Sequence, residues 1–102
     1  MVSNEDREVY MDAIRNWGVD AQIDMVYEEC GELLTAVSRL RRGRCTIDDV
    51  VTEMADVSIM IDQLNVMFNL GEKFDKEKSR KINKLRDKLN EYTKKNKNAI
   101  ID

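Results

Sequence analysis

Residues 20–70 read DAQIDMVYEECGELLTAVSRLRRGRCTIDDVVTEMADVSIMIDQLNVMFNL. Two helices are written there, joined by a few residues. Asp20 is placed to cap a helix that runs to about Arg42 and closes at Gly43, behind a cationic last turn of Arg39, Arg41 and Arg42. Thr46 with Asp49 resembles a capping box and opens the next helix, which continues to about Leu70 before Gly71. The connection around Gly43 to Cys45 is short enough to make the two helices antiparallel neighbours. Each carries two adjacent stripes. In the first, Ile23, Val26, Cys30, Leu33, Val37 and Leu40 form the expected core seam, and Gln22, Met25, Glu29, Glu32, Ala36 and Arg39 lie one position earlier. In the second, the seam is Val50, Met54, Val57, Ile61, Leu64 and Phe68, preceded by Glu53, Asp56, Met60, Gln63 and Met67. The wide apolar arc of this second helix makes it central to a bundle and calls for a second subunit.

Outward from this hairpin, Ser3 with Asp6 marks the start of a short first helix that ends at Trp17, with Gly18 behind it. A fourth helix is expected from about Asp75 to about Lys95, with Ile82, Leu85, Leu89 and Tyr92 on one face and a frayed tail beyond. The chain has 102 residues, 42% of them apolar and 36% charged, with four Gly and no Pro. That composition favours long helices over turn-rich sheet. The expected fold is therefore all-α: one domain over 1–102 with its core in 14–95, an antiparallel bundle of about four helices completed by oligomerisation. No apolar run approaches the ~20 residues that span a bilayer, and Met1 to Tyr10 is too polar for a signal peptide. The expected setting is soluble and cytoplasmic, with no membrane partner and with Cys30 and Cys45 reduced rather than bridged.

Charge is distributed unevenly. Residues 1–71 hold 14 acidic against 6 basic side chains, whereas residues 72–98 hold 5 acidic against 11 basic, within a net charge of −3. A domain dedicated to a nucleic-acid polymer is usually basic overall. This pattern suits instead a protein that gathers a cation in one place and phosphates in another, or simply one with a solvated Lys-rich last helix.

Residues three apart on a helix share a side, so Glu29/Glu32 and Glu53/Asp56 form two acidic pairs. Counting from the loop, Glu32 lies ten residues before Arg42 and Asp56 ten residues after Thr46. The pairs therefore sit at matching height and are expected to converge. Four carboxylates at one point repel and need a partner, and no basic residue lies nearby on either stripe. A hard divalent cation is the simplest compensation. Oxygen-only ligation points to Mg²⁺, with Mn²⁺ as the alternative, and the absence of His excludes His-containing di-iron and zinc sites.

The run Glu28-Glu29-Cys30-Gly31-Glu32, followed after twenty residues by Glu53-Met54-Ala55-Asp56, resembles the E-E-x-x-E…E-x-x-D signature of MazG-type pyrophosphohydrolases. The similarity extends to Trp17-Gly18, Gln22, Leu33 and the run from Val57 to Leu64, over about residues 14–70. It implies hydrolysis of nucleoside triphosphates to monophosphate and pyrophosphate by dimers or tetramers, with Glu29, Glu32, Glu53 and Asp56 as metal ligands. It gives Glu28, which falls about 100° off the ligand stripe, the task of orienting or deprotonating water; a surface carboxylate is the equal alternative. Gln22 is a candidate reader of a base edge or ribose, or a packing amide. Lys81, Lys84 and Arg86, with Lys78, are candidates for the outgoing phosphates. Trp17, Met25, Met60, Met67, Phe68 and Phe74 are expected mainly as core, with a base-stacking pocket as the alternative. Two further readings stay open: a noncatalytic helical interaction module, and a relative acting on phosphoribosyl-ATP.

Overall fold

The computed structural model describes residues 2–101, with side chains described over 2–96. Four helices make up the described residues, with no strand: α1 (Asn4–Trp17), α2 (Val19–Arg41), α3 (Ile47–Phe68) and α4 (Gly71–Ile101). The chain divides into two compact units, Met1–Leu70 and Gly71–Asp102.

Local chemistry sets the boundaries in the first unit. The Ser3 hydroxyl accepts a hydrogen bond from the Asp6 N–H at 3.2 Å, satisfying one donor at the start of α1. Gly18, at φ 90°, ends α1 and begins α2 at once: its N–H donates to the Ile14 carbonyl, and its own carbonyl accepts from Gln22. A side chain at that φ is strained, which is why one glycine serves both ends. Asp20 consequently lies inside the first turn of α2 rather than capping it. At the start of α3, Thr46 and Asp49 make both halves of the capping box, with the Thr46 N–H donating to Asp49 Oδ2 at 2.9 Å.

The last helix begins earlier and runs further than the expected 75–95. Asn69 adopts a left-handed conformation, φ 54°, and Leu70 N–H donates to the Asn65 carbonyl, so α3 terminates within a residue and α4 starts at Gly71. Beyond that start no Pro or Gly interrupts the chain to its end. Taken by itself, α4 exposes Ile82, Leu85, Leu89 and Tyr92, and Arg80 pairs with Glu77 one turn earlier.

In the first unit α2 and α3 pack along their length, and α1 lies across both. Tyr10, Ala36, Val50, Met60 and Val66 are buried, together with the amides Gln22 and Gln63. The expected seams hold only in part: Val50 is buried and Ile23, Val26, Leu33, Leu40, Val57 and Leu64 are half-buried, but much of the deepest burial falls one position earlier. The stripe led by Gln22 and Ala36 faces α3, and Met60 and Gln63 sit on the facing side of α3, while Cys30, Val37, Met54, Ile61 and Phe68 remain exposed. One residue is a 100° rotation, and hydropathy alone turns the helices too far because the facing stripe carries the acids and amides. Leu34, 72% exposed, joins this apolar flank. Cys30 and Cys45 are free thiols; Cys45 Sγ donates to the Ala36 carbonyl at 3.3 Å. No helix among the described residues is long and apolar enough to cross a membrane.

Candidate metal centre

The helical hairpin brings Glu29, Glu32, Glu53 and Asp56 together. Each offers one carboxylate oxygen, and the four oxygens lie within 4.8 Å of one another. The convergence follows from the short α2–α3 connection. Antiparallel helices joined by five residues must place side chains equidistant from the turn at one level. Three of the four are partly buried, Glu32 being exposed.

The electrostatics of this cluster are uncompensated. Glu29 Oε2 and Glu53 Oε2 are buried and have no hydrogen-bonding partner. Burial pushes the Glu29 carboxyl above its ordinary value of 4.5, and the neighbouring Glu32 and Asp56 raise it further. Glu53 is pushed the same way by burial and then by Glu32 and Asp56. The side-chain ion pairs among the described residues are Arg15–Asp12 and Arg80–Glu77, so none of the four acids is ion-paired to a described Lys or Arg. Buried acceptors without donors cost free energy. An all-oxygen donor set of this size suits a hard divalent cation with room left for water or ligand oxygens.

Two cavities meet at the cluster. The first, about 590 Å³, lies between α1 and the hairpin, with Glu29 and Asp56 among its lining residues. Tyr10, Trp17, Met25 and Met60 supply its apolar wall, and the amides of Gln22 and Gln63 line it as well. Gln22 is 1% and Gln63 5% exposed, and Gln63 Oε1 has no partner. Tyr10 fixes the α1 wall: its hydroxyl donates to Asp62 Oδ2 at 2.9 Å, and burial together with that carboxylate pushes the phenol up to about 12. The second cavity, about 680 Å³, lies towards the α2–α3 connection and is lined by Glu28, Glu32, Glu53, Asp49, Arg39 and Arg44 among others.

Of the residues singled out in the sequence, the four ligand candidates converge, Gln22 lines the first cavity, and Glu28 is exposed along the second. Trp17, Met25 and Met60 form a wall, whereas Phe68 is exposed on α3 and Phe74 belongs to α4. Lys81, Lys84 and Arg86 are exposed on α4, where Arg86 Nη1 donates to Asn83 Oδ1 at 2.9 Å. Tyr10, Gln63 and Arg44 were not read as site residues. Gln63 could have been, since it stands seven residues after Asp56 on the same helical face. No family model, curated protein or solved structure matches the chain.

Proposed function

We propose that the protein is a Mg²⁺-dependent nucleoside triphosphate pyrophosphohydrolase, cleaving a nucleoside or deoxynucleoside triphosphate to its monophosphate and pyrophosphate. The observation that carries this reading is the junction of four convergent, uncompensated carboxylate oxygens with an apolar, amide-bearing cavity. A nucleotide needs both: charge compensation at its phosphates, and a partly dry slot for a flat ring with a few polar groups. The spacing of the acids, which resembles that of MazG-type enzymes, supports the same conclusion.

In this reading Glu29, Glu32, Glu53 and Asp56 hold the metal. When bound, Mg²⁺, or Mn²⁺ in its place, neutralises phosphate charge and polarises the phosphoryl oxygens. Tyr10, Trp17, Met25 and Met60 enclose the base, and Gln22 and Gln63 present amide groups to its edge. Glu28, exposed beside the cluster, accepts a proton from the attacking water. The water oxygen bonds to the α-phosphorus, the bridging bond to the β-phosphoryl group breaks, and its electron pair leaves with pyrophosphate; the proton passes on to solvent. Positioning and electrostatics suffice for such a transfer, so no nucleophilic side chain is needed. Lys81, Lys84 and Arg86 are cationic groups available to phosphate. The exposed flank of Leu34, Val37, Met54, Ile61 and Phe68 supports assembly as a homodimer or homotetramer.

The test is pyrophosphate release from a panel of nucleoside and deoxynucleoside triphosphates and phosphoribosyl-ATP, with Mg²⁺, for the wild type and Glu53→Gln. Release that depends on Mg²⁺ and is lost in the variant is expected. Wild-type protein inert toward the whole panel would overturn the reading in favour of a noncatalytic interaction module, which the same exposed flank also suits. Selective turnover of phosphoribosyl-ATP would replace the substrate.

A further inference from the structure

We propose that Arg39 and Arg44 hold the β- and γ-phosphates, so that the substrate lies along the hairpin with its base under α1 and its outgoing pyrophosphate towards the α2–α3 connection. The assignment rests on the nucleotide reading above and gives the bound molecule a direction.

The two cavities differ in chemistry and share the carboxylate cluster. Glu29 and Asp56 belong to the first, Glu32 and Glu53 to the second. The first has aromatic and thioether walls and buried amides but no Lys or Arg. The second has Arg39 and Arg44. A molecule with its α-phosphate at the cluster therefore meets apolar surface on one side and guanidinium groups on the other.

Local folding places this pair of arginines. Arg39 follows Glu32 by seven residues, two turns along the same face of α2 and about 10 Å towards its end. The chain then turns back at Gly43, φ 69°, whose N–H donates to the Leu40 carbonyl at 3.0 Å. Arg44 N–H donates to the Arg39 carbonyl at 2.8 Å, which ties the second arginine to the helix end that carries the first.

Both guanidinium groups are available. Their cavity is also lined by Glu28, Glu32, Asp49 and Glu53, yet neither Arg39 nor Arg44 forms an ion pair among the described residues. Asp49 is occupied by Thr46, whose N–H and hydroxyl hold its carboxyl below the usual range. The planar fork of Arg matches two phosphate oxygens. Negative charge grows on the departing pyrophosphate as the bridging bond breaks, so cations at this end stabilise the leaving group.

The experiment is calorimetric titration of the full chain, in Mg²⁺, with inorganic pyrophosphate and separately with nucleoside monophosphate. It compares wild type, Arg39→Gln, Arg44→Gln, the double variant, and Lys81→Gln/Lys84→Gln/Arg86→Gln, with Arg39→Lys and Arg44→Lys as charge-conserving variants. Each Arg→Gln change is expected to weaken pyrophosphate about tenfold and monophosphate far less, with partial recovery in the Lys variants. Unchanged pyrophosphate affinity in the double variant, or loss confined to the α4 triple variant, would overturn the assignment while leaving hydrolysis by the wild type intact. A wild type that binds neither probe and releases no pyrophosphate would overturn the nucleotide reading as well.

Discussion

Glu29 on α2 and Glu53 on α3 offer carboxylate oxygens within 4.8 Å of each other, and each keeps its Oε2 buried without a hydrogen-bonding partner. Two like charges so placed oppose folding until something positive joins them. Stability and function should therefore part company in Glu53→Gln. The variant is expected to melt at a higher temperature than wild type in the presence of chelator, because a repelling charge is gone. Its kcat/KM for pyrophosphate release should fall at least ~100-fold. Thermal denaturation and a steady-state assay on the same preparation measure both; a variant that melts lower in chelator and keeps its activity contradicts the account.

The same pair sets a pH dependence. Glu29 and Glu53 titrate above 4.5 in the folded chain, so the folded state holds protons that the unfolded state releases. Their protonation favours folding below pH 4.5, and that contribution is lost as pH rises through the raised values. Asp49 acts in the opposite sense: lowered from 3.8 by the Thr46 N–H and hydroxyl, it favours folding above that pH and loses the effect in more acid solution. Metal-free protein should accordingly lose thermal stability from mildly acidic towards neutral pH. The loss should be smaller in Glu29→Gln/Glu53→Gln and smaller again in saturating Mg²⁺. Melting curves from pH 4.5 to 8 test it, and identical slopes for wild type and the double variant would count against it.

Gln63 lines the first cavity and is itself buried, with an unpaired Oε1. An orphaned amide destabilises, so Gln63→Leu should leave stability within ~1 kcal/mol of wild type or raise it. In the proposed enzyme the same change should cost about tenfold in kcat/KM for the preferred base and flatten the ranking among bases. An unaltered ranking across the nucleotide panel would assign Gln63 to packing alone.

Tyr10 anchors α1 through its 2.9 Å hydrogen bond to Asp62, fifty-two positions along the chain. Tyr10→Phe is expected to lower stability by about 1 kcal/mol, with a coupling to Asp62→Ala of similar size in a double-mutant cycle. Because Tyr10 also lines the first cavity, KM should rise more than kcat falls. Additive stability effects would show that the bond does not hold the helix.

The helix order and the meeting of the carboxylates were legible because the punctuation is local: Ser3, Gly18, Gly43 and the Thr46–Asp49 box each act within one turn. Once the Gly43–Cys45 connection is read as short, the register of Glu32 against Asp56 follows from the rise of a helix alone. What lay beyond the sequence depended on side-chain packing. Hydropathy places Cys30 and Met54 in the core seams, whereas both are exposed and the small Ala36 and the amides of Gln22 and Gln63 are buried. The early start of α4 turns on the left-handed Asn69, which composition does not announce. The tie between Arg44 and the helix end that carries Arg39 depends on a backbone turn, whereas charge counting singles out Lys81, Lys84 and Arg86.

Whether α2 and α3 share one divalent ion is the most direct question for experiment. Titration of Mn²⁺ into chelator-treated protein, followed by the loss of the free-ion electron paramagnetic resonance signal, measures this without assuming any substrate. Saturable binding by wild type is expected, at least tenfold weaker both in Glu32→Gln on α2 and in Glu53→Gln on α3 and competed by Mg²⁺. Wild-type protein that leaves the free-ion signal undiminished, or variants on either helix that bind as tightly as wild type, would contradict it.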